Sequence, residues 1–250
     1  MTNSRDGLVN QPIKAIFLDL GDTLRLLIPD EAHQSYAKNR IAELVGTHDS
    51  PDDFCEKLHQ RYKNYRMWAF ENMAEAPEAE FWTRWMAPEF PPEKIAPVAV
   101  ELSFQYRQTK GRRIMAPDGK KVIEELYKRG YTLGIISNLI TSNEVPDWLK
   151  EEGLTHYFKS VALSSVLGIR KPDPRIYHYA AREAGVEPAE CAYIGDNLKR
   201  DVTGTQQAGF GMTVIVLNEN AAVEGVEGQA GPDLIVHSLS ELLDIFPPLN

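Results

Sequence analysis

Apolar runs alternate with amphipathic segments through the second half of the 250-residue chain. Each run ends at a polar or turn-forming residue, as buried parallel strands do, and the segments between them have helical spacing. One further run, from about Ile13 to Asp19, lies near the N-terminus. This alternation predicts an α/β fold, a Rossmann-like parallel sheet with helices on both faces. Strands are predicted near 13–19, 131–136, 160–163, 191–194, 212–217 and 234–236, and helices near 118–129, before 153, and near 175–184, 203–208 and 239–245.

The block from residue 28 to residue 111 has a different pattern, with apolar residues at helical spacing and no predicted strand. Gly46 is expected to end its first helix and Pro51 to begin the second. Because the first strand belongs to the sheet of the later strands, this block is predicted to be an insertion, with hinges near 25–30 and 108–117. Its predicted helices cover 31–46, a segment from 51, 78–87 and 92–110.

These patterns divide the chain into three predicted parts. The N-terminal part is polar and is expected to be a flexible tail. Within the α/β core, residues 218–232 are rich in Gly, Ala, Glu and Asn and predict an exposed loop. The predicted boundaries are 1–12 for the tail, 13–27 and 112–250 for the core domain, and 28–111 for the helical domain.

Composition and charge argue against several classes of function. A formal net charge of −9 does not suit a nucleic-acid surface, because phosphate backbones are bound by basic patches. No run approaches the ~18 apolar residues that span a bilayer, and no signal peptide is recognisable, so we expect a cytoplasmic protein without membrane contact. Cys55 and Cys191 lack metal-ligand spacing and suit a reducing compartment. Nothing in the sequence indicates an oligomeric state.

Polar residues stand at the ends of the predicted strands or shortly after them, in four motifs. In open α/β sheets, ligands bind at the carboxyl ends of the strands, so these residues are the candidates for chemistry. Taken singly, each motif is typical of a turn or a helix cap. The four motifs are Leu18-Asp-Leu-Gly-Asp-Thr-Leu24, Gly134-Ile-Ile-Ser-Asn138, Gly168-Ile-Arg-Lys-Pro-Asp-Pro174 and Tyr193-Ile-Gly-Asp-Asn-Leu-Lys-Arg-Asp201.

Together and in this order, the four motifs resemble those of the haloacid dehalogenase superfamily of hydrolases. The resemblance extends from about Ile13 to Ile245. The helical block after the first motif resembles the C1-type cap of subfamily I, so residues 28–111 are interpreted as a cap domain. Caps in this superfamily select substrates by closing over the strand ends, which excludes water from the site.

Most members of the superfamily transfer a phosphoryl group from a monoester to an aspartate and then hydrolyse the acyl phosphate. The resemblance implies that Asp19 is this nucleophile and that Mg²⁺ neutralises charge between it and the phosphate. The implied metal ligands are the carboxylates of Asp19 and Asp196 and the backbone carbonyl of Gly21. Asp201 would orient a metal-bound water or Lys171. The implied phosphate donors are the Ser137 hydroxyl, the Lys171 ammonium and the backbone N–H groups of Leu20 and Asn138.

One position departs from the superfamily pattern. Phosphatases of this kind usually carry a second Asp two residues after the nucleophile, which protonates the leaving alcohol, and here that residue is Gly21. A general acid contributes roughly 10²–10⁴-fold, so turnover is expected to be slow or selective unless another group replaces it. Asp22 is one candidate, although adjacent residues of an extended segment point to opposite sides. Substrates with good leaving groups, such as acyl or aryl phosphates, are another explanation. A third is an acid from the cap, for which the candidates are His33, His59 and Glu71.

The main interpretation is a Mg²⁺-dependent phosphatase that acts on small-molecule phosphate monoesters through an aspartyl-phosphate. Arg66 or Arg84, in the aromatic-rich helical block, is predicted to contact this phosphorylated substrate, while most of the aromatic residues form the core of the block. One alternative is a metal-independent 2-haloacid dehalogenase, a branch that also lacks the second Asp, although the retained Asp196 favours phosphoryl chemistry. The other is a catalytically weakened module that senses phosphate or binds a protein.

Overall fold

The computed structural model describes residues 12–217 and 231–249. Eight strands lie within these residues. Six of them form one parallel sheet and two form a separate antiparallel pair. The predicted tail and the predicted loop at 218–232 lie almost wholly outside the described residues. The strands are β1 (Ala15–Leu18), β2 (Arg25–Ile28), β3 (Arg112–Met115), β4 (Thr132–Ser137), β5 (Phe158–Leu163), β6 (Cys191–Gly195), β7 (Met212–Val216) and β8 (Leu234–Val236).

Eleven α-helices lie in the described residues, and none of them is long and apolar enough to cross a membrane. They are α1 (Glu31–Val45), α2 (Pro51–Glu71), α3 (Glu78–Glu80), α4 (Pro92–Ile95), α5 (Ala99–Gln108), α6 (Gly119–Lys128), α7 (Glu144–Glu151), α8 (Ser164–Leu167), α9 (Pro174–Ala184), α10 (Arg200–Ala208) and α11 (Leu242–Ile245). A π-helical segment, Phe81–Met86, follows α3 directly.

The parallel sheet has the order β5-β4-β1-β6-β7-β8, so the first strand lies inside it. Successive residues of a strand point to opposite faces. Ile16 and Phe17 accordingly enter two different hydrophobic clusters, the first filled by α6 and α7 and the second by α9. Because apolar side chains cover both faces, all four residues of β1 are buried. The predicted α/β fold with helices on both faces is confirmed.

The helices between β2 and β3 form an insert, residues 31–108, with a hydrophobic cluster of its own. Its first helix, α1, is preceded by Asp30, whose carboxylate caps the helix, and is followed by Gly46, whose φ of 70° suits a residue without Cβ. The cluster contains the aromatic residues that the sequence placed in a core. Its largest fully buried members are Trp82, Tyr65, Tyr106, Phe54 and Phe81.

β2 and β3 carry the chain into and out of the insert. They form an antiparallel ribbon in which Ile28 lies opposite Arg112, so the two ends of the insert lie side by side. The sequence placed hinges here but predicted no strands. β2 was not predicted because its polarity is inverted, with Arg25 buried and Leu27 45% exposed. A four-residue strand with its charge inside does not show the alternation that identifies strands.

A second contact joins the insert to the core, between the segment that follows α2 and the loop that precedes α9. The Glu75 N–H donates to the Gly168 carbonyl at 3.1 Å, and the Arg170 N–H donates to the Met73 carbonyl at 3.1 Å. The buried Glu75 carboxylate also pairs with the Arg170 guanidinium and accepts a hydrogen bond from Ser164 Oγ at 2.7 Å. Burial raises the pKa of Glu75, and the charge of Arg170 opposes that rise.

Replacing Glu75 by alanine is expected to destabilise the protein by about 3–5 kcal/mol, because the change leaves a buried guanidinium without its partner. Chemical denaturation measures this free energy of unfolding. The matched control is Glu71→Ala, which removes the same charge from an exposed position of the insert. Replacing both partners, in Glu75→Leu with Arg170→Met, should cost less than the single change, and equal stability of the Glu75 and Glu71 variants would contradict the expectation.

Candidate active site

Three strand ends meet at one edge of the sheet and bring polar side chains together. Asp19 follows β1, Ser137 ends the neighbouring β4, and Asp196 follows the neighbouring β6 on the other side. Asp19 is only 4% exposed. Its Oδ1 accepts hydrogen bonds from Ser137 Oγ at 2.7 Å and from the Leu20 N–H at 2.8 Å. Since both donors hold one oxygen, the carboxylate has a fixed orientation.

Lys171 supplies a positive charge on the other oxygen of Asp19. Its ammonium lies 2.6 Å from Asp19 Oδ2 and 3.2 Å from Asp201 Oδ1, and the side chain is fully buried. The loop that carries it is held by the side chain of Asn138, which accepts a hydrogen bond from the Lys171 N–H at 2.9 Å and donates to the Lys171 carbonyl at 3.0 Å. Through these two hydrogen bonds to the backbone of Lys171, the Asn138 side chain positions the lysine.

Tyr193 contacts this lysine and was missed by the sequence analysis. Its hydroxyl accepts a hydrogen bond from the Lys171 ammonium, and its side chain is completely buried. Burial, together with the charges of Asp19 and Asp201, raises the pKa of Tyr193 well above its usual value. The phenol therefore stays neutral and fixes the lysine without adding charge. A polar residue within the apolar strand β6 was the signal available in the sequence.

Asp19, Asp196 and Asp201 form an acidic cluster in which one oxygen from each lies within 4.8 Å of the others. Burial, followed by the charge of Asp19, raises the pKa of Asp196 to about 6. Burial also disfavours charge on Asp201, but Lys171 and Arg200 outweigh it and lower the pKa of Asp201 to about 2. Closely spaced carboxylate oxygens are the ligands that Mg²⁺ prefers.

Besides Lys171, a second cationic group contacts the cluster, the guanidinium of Arg200. Its Nη2 lies 2.9 Å from Asp19 Oδ2 and 3.2 Å from Asp196 Oδ1, and its Nε lies 3.0 Å from Asp201 Oδ1. A positive group thus bridges the two carboxylates that the sequence assigned to the metal. The donor set therefore fits a cation, and Arg200 competes for the same oxygens.

A cavity lies beside Asp19 and Asp196, and Asp22 is among the residues that line it. Asp22 is therefore placed where a general acid would be needed. The expectation that it faces away assumed an extended segment, but its φ is 53°, so the chain turns at this residue. The three proposed cap acids are not among the residues that line the cavity. That cavity has a volume of about 210 Å³ and is lined by Asp19, Gly21, Asp22, Arg25, Leu27, Arg107, Arg113, Ser137, Asn138, Leu139, Asp196 and Arg200.

Arg66 and Arg84 do not line this cavity either. Arg66 is exposed on α2, with its guanidinium 5.5 Å from the ring centre of Phe70. Arg84 is also exposed and pairs with Glu80 at 2.8 Å. In this structure, four other arginines reach the cavity instead, from β2, α5, β3 and α10. The sequence motifs gave no indication of Arg25, Arg107 and Arg113, none of which belongs to the four motifs.

Comparison with known protein families matches residues 13–209 to the haloacid dehalogenase-like hydrolases. The chain belongs to this family. The hydrolase is 27% identical, over 93% of its length and 97% of the relative's, to a Methanopyrus kandleri protein named glyceraldehyde 3-phosphate phosphatase. It is 32% identical to a phosphoserine phosphatase of Thermus thermophilus over 58% of this chain and 56% of that protein. Both of these relatives are named as phosphatases.

Solved structures support the fold of this hydrolase. A 2-haloacid dehalogenase from Pseudomonas syringae superposes with a TM-score of 0.69, over 93% of this chain and 97% of that chain, at 22% identity. A phosphatase of the same family from Thermococcus onnurineus gives a TM-score of 0.61, over 95% and 100% of the two chains, at 21% identity. At such identities the likeness describes the shared architecture and does not choose between the two activities.

Replacing Arg200 by alanine is expected to increase the affinity of the hydrolase for Mg²⁺ about tenfold or more, a usual size for coupling between two binding events. The reason is that the guanidinium contacts oxygens of Asp19 and Asp196, the two carboxylates that the superfamily resemblance assigns to the metal. Calorimetric titration with Mg²⁺ or Mn²⁺, without substrate, measures the affinity. The control is Lys199→Ala, which removes an equal charge from the exposed neighbouring residue. Equal affinities for the wild type and the Arg200 variant would contradict the expectation.

Proposed function

We propose that the hydrolase is a phosphatase of small phosphate monoesters and that Asp19 is its nucleophile. The observation that carries the proposal is the placement of one buried carboxylate at the end of β1, oriented by Ser137 and contacted by Lys171. An oriented carboxylate beside an ammonium group suits attack on a phosphate, because the ammonium reduces the repulsion between two anions. The two relatives described above are both named as phosphatases, which supports the same class of activity.

In the first proposed step, an oxygen of Asp19 attacks the phosphorus atom. The Asp19 O–P bond forms while the bond between phosphorus and the ester oxygen breaks, and the leaving alkoxide takes a proton from a solvent water molecule. Ser137 Oγ and Lys171 Nζ lie within hydrogen-bond distance of Asp19, so both are placed to hold the carboxylate and to donate to phosphate oxygens. In the second step, water attacks the same phosphorus atom and releases inorganic phosphate and the Asp19 carboxylate.

A divalent cation is proposed to be held by the carboxylates of Asp19 and Asp196 and by the Gly21 carbonyl, with Asp201 beside it. Bound there, it would supply neutralising positive charge between the nucleophile and the phosphate. The closely spaced carboxylate oxygens support this assignment. Arg200 is proposed to compensate the same negative charges before the cation binds, since it contacts all three carboxylates.

The insert is proposed to act as a cap domain over this site, with boundaries at residues 28–111. Arg107, near the end of α5, and Arg113, on β3, support the proposal, because they line the catalytic cavity from the end of the insert and from the strand that follows it. The cavity of about 210 Å³ is smaller than the ~300–1,000 Å³ typical of ligand sites. A cap in this position would therefore admit a short substrate.

A panel of phosphate esters tests the proposed function. We expect Mg²⁺-dependent release of phosphate from p-nitrophenyl phosphate, acetyl phosphate and short alkyl phosphates. The control without Mg²⁺ and with a chelator should be much slower. Absence of phosphate release from every ester, at any Mg²⁺ concentration, would overturn the proposal.

A metal-independent 2-haloacid dehalogenase remains the second candidate. Two observations favour it, namely the Gly at position 21 and the bridge that Arg200 makes between Asp19 and Asp196 without a metal. Release of chloride from 2-chloropropionate in the presence of a chelator, with no phosphate release from the panel, would establish this activity. Retention of the second carboxylate, Asp196, beside the nucleophile is the reason for placing it second.

A further inference from the structure

Groups of opposite charge line the catalytic cavity. Asp19 and Asp196 belong to the acidic cluster at the strand ends. Arg25, Arg107 and Arg113 reach the same cavity from β2, α5 and β3. We call these three residues the arginine cluster. A ligand that enters this cavity of about 210 Å³ therefore meets the proposed phosphate site and three further guanidinium groups.

One carboxylate, that of Glu144 at the start of α7, holds the arginine cluster in place. Arg25 Nη1 lies 2.9 Å from Glu144 Oε1, Arg107 Nε contacts Oε2, and Arg113 Nε lies 3.9 Å from Oε1. Thr141 Oγ1 donates to the same carboxylate at 3.2 Å. Burial disfavours charge on Glu144, but the three arginines outweigh it and lower the pKa of Glu144 to about 2. The carboxylate is therefore charged at neutral pH.

Within the cluster, three guanidinium groups share this single carboxylate in a largely buried setting. The side chains of Arg25, Arg107 and Arg113 are 8%, 18% and 13% exposed. Arg25 Nε is buried and has no hydrogen-bond partner among the described residues. Burial and the nearby charge of Arg107 lower the pKa of Arg113 to about 10. Three guanidinium charges around one carboxylate leave two positive charges in excess, which an anionic ligand in the cavity would offset.

We propose that the arginine cluster binds a second anionic group of the substrate. The preferred substrates are then short phosphate monoesters that also carry a carboxylate or a second phosphate. The phosphoryl group lies at Asp19 and the second anion at Arg107 and Arg113, because both ends line one cavity. Guanidinium groups suit this role, since they bind carboxylate and phosphate through paired hydrogen bonds. This inference rests on the proposed phosphatase function.

A larger neighbouring cavity of about 570 Å³ shares Arg25 and Arg113 with the catalytic cavity. The acidic and basic residues of its lining are equal in number, Glu144, Asp147, Glu151 and Glu152 against Arg25, Arg112, Arg113 and Lys150, so it has no excess of positive charge. It does not include Asp19. The catalytic cavity is therefore the place where a second anionic group of the substrate and the nucleophile are brought together.

The test compares 2-phosphoglycolate with ethyl phosphate, which has the same two-carbon length and no carboxylate. We expect the wild type to prefer 2-phosphoglycolate in kcat/KM by at least about tenfold, as one charge-assisted hydrogen bond or more would give. Arg113→Met should reduce this ratio about tenfold, mainly through KM for 2-phosphoglycolate. Arg112→Met is the matched control, because Arg112 is adjacent on β3 but pairs with Asp30 and does not line the catalytic cavity.

Two further experiments distinguish a failure of this inference from a loss of folding and from a failure of the proposed phosphatase function. Arg113→Lys keeps the charge and should retain part of the preference, which shows that a loss in Arg113→Met is not a loss of folding. Calorimetric binding of both esters to the Asp19→Asn variant reports on the arginine cluster without turnover. Equal binding of the two esters, or an unchanged ratio in Arg113→Met, would overturn this inference. Tighter binding of 2-phosphoglycolate without hydrolysis of any ester by the wild type would support the subsite and reject the phosphatase.

Discussion

Replacing Asp19 by asparagine is expected to reduce phosphate release by at least about 10⁴-fold, the order of loss seen when a covalent nucleophile is removed. The amide has nearly the same shape as the carboxylate, and its oxygen can still accept the hydrogen bond from Ser137 Oγ. It is uncharged, however, and does not form an acyl phosphate. Initial rates on p-nitrophenyl phosphate at saturating Mg²⁺ measure the effect.

The control for this variant is Asp52→Asn, the same substitution at a side chain that is 80% exposed. Thermal unfolding of both variants checks that the loss does not come from a damaged fold. Mass spectrometry of the wild type, quenched during turnover, should find a phosphoryl group on the peptide that contains Asp19. Turnover by Asp19→Asn within tenfold of the wild type would show that another residue is the nucleophile, or that water attacks the ester directly.

Replacing Gly21 by aspartate is expected to increase the turnover of alkyl phosphates by about 10²-fold or more, the contribution of a positioned general acid. The substitution fits the structure, because a Cβ placed on Gly21 would meet no heavy atom within 4 Å among the described residues. p-Nitrophenyl phosphate should change much less, since its leaving group does not need a proton. The ratio of the two kcat values is therefore the informative measurement.

Asp22→Asn is the companion variant, because Asp22 lines the cavity beside Gly21. If the protein lacks a general acid, this change should leave the ratio of alkyl to aryl turnover as it is in the wild type. A loss of alkyl phosphate turnover in Asp22→Asn, with no gain in Gly21→Asp, would contradict the expectation and assign the proton to Asp22.

The sequence predicted the fold and the centre of the candidate site for the same reason. Residues at the carboxyl ends of parallel strands share one edge of the sheet, so short motifs at the ends of β1, β4 and β6 were enough to bring Asp19, Ser137 and Asp196 together. The alternating pattern also predicted the strands of the sheet, because all of them except the exposed edge strand β8 are largely buried and are bounded by turn residues. The roles assigned to these residues stay predictions until the variants are measured.

The contacts of Arg200, the arginine cluster and the orientation of Asp22 were not predicted, because they depend on information that no local sequence pattern contains. Arg200 precedes Asp201 in the fourth motif, but the direction of a long side chain is set by the carboxylates around it. The arginine cluster comes from three separate elements and is held by Glu144, so it exists only after the chain has folded. Asp22 was expected to face away because its left-handed backbone conformation is rare for a residue other than glycine.

The place of β1 between β4 and β6 has a consequence for the order in which the chain folds. Ala15 pairs with Thr132 and with Cys191, both of which leave the ribosome long after β1. The contacts between the helices of the insert, by contrast, lie within residues 31–108, so they can form once this segment has left the ribosome. We therefore expect the helical insert to fold first during synthesis, while β1 waits as an unpaired apolar strand. The proposed nucleophile would then be placed only when β6, which is synthesised after β4 and the whole insert, completes the centre of the sheet.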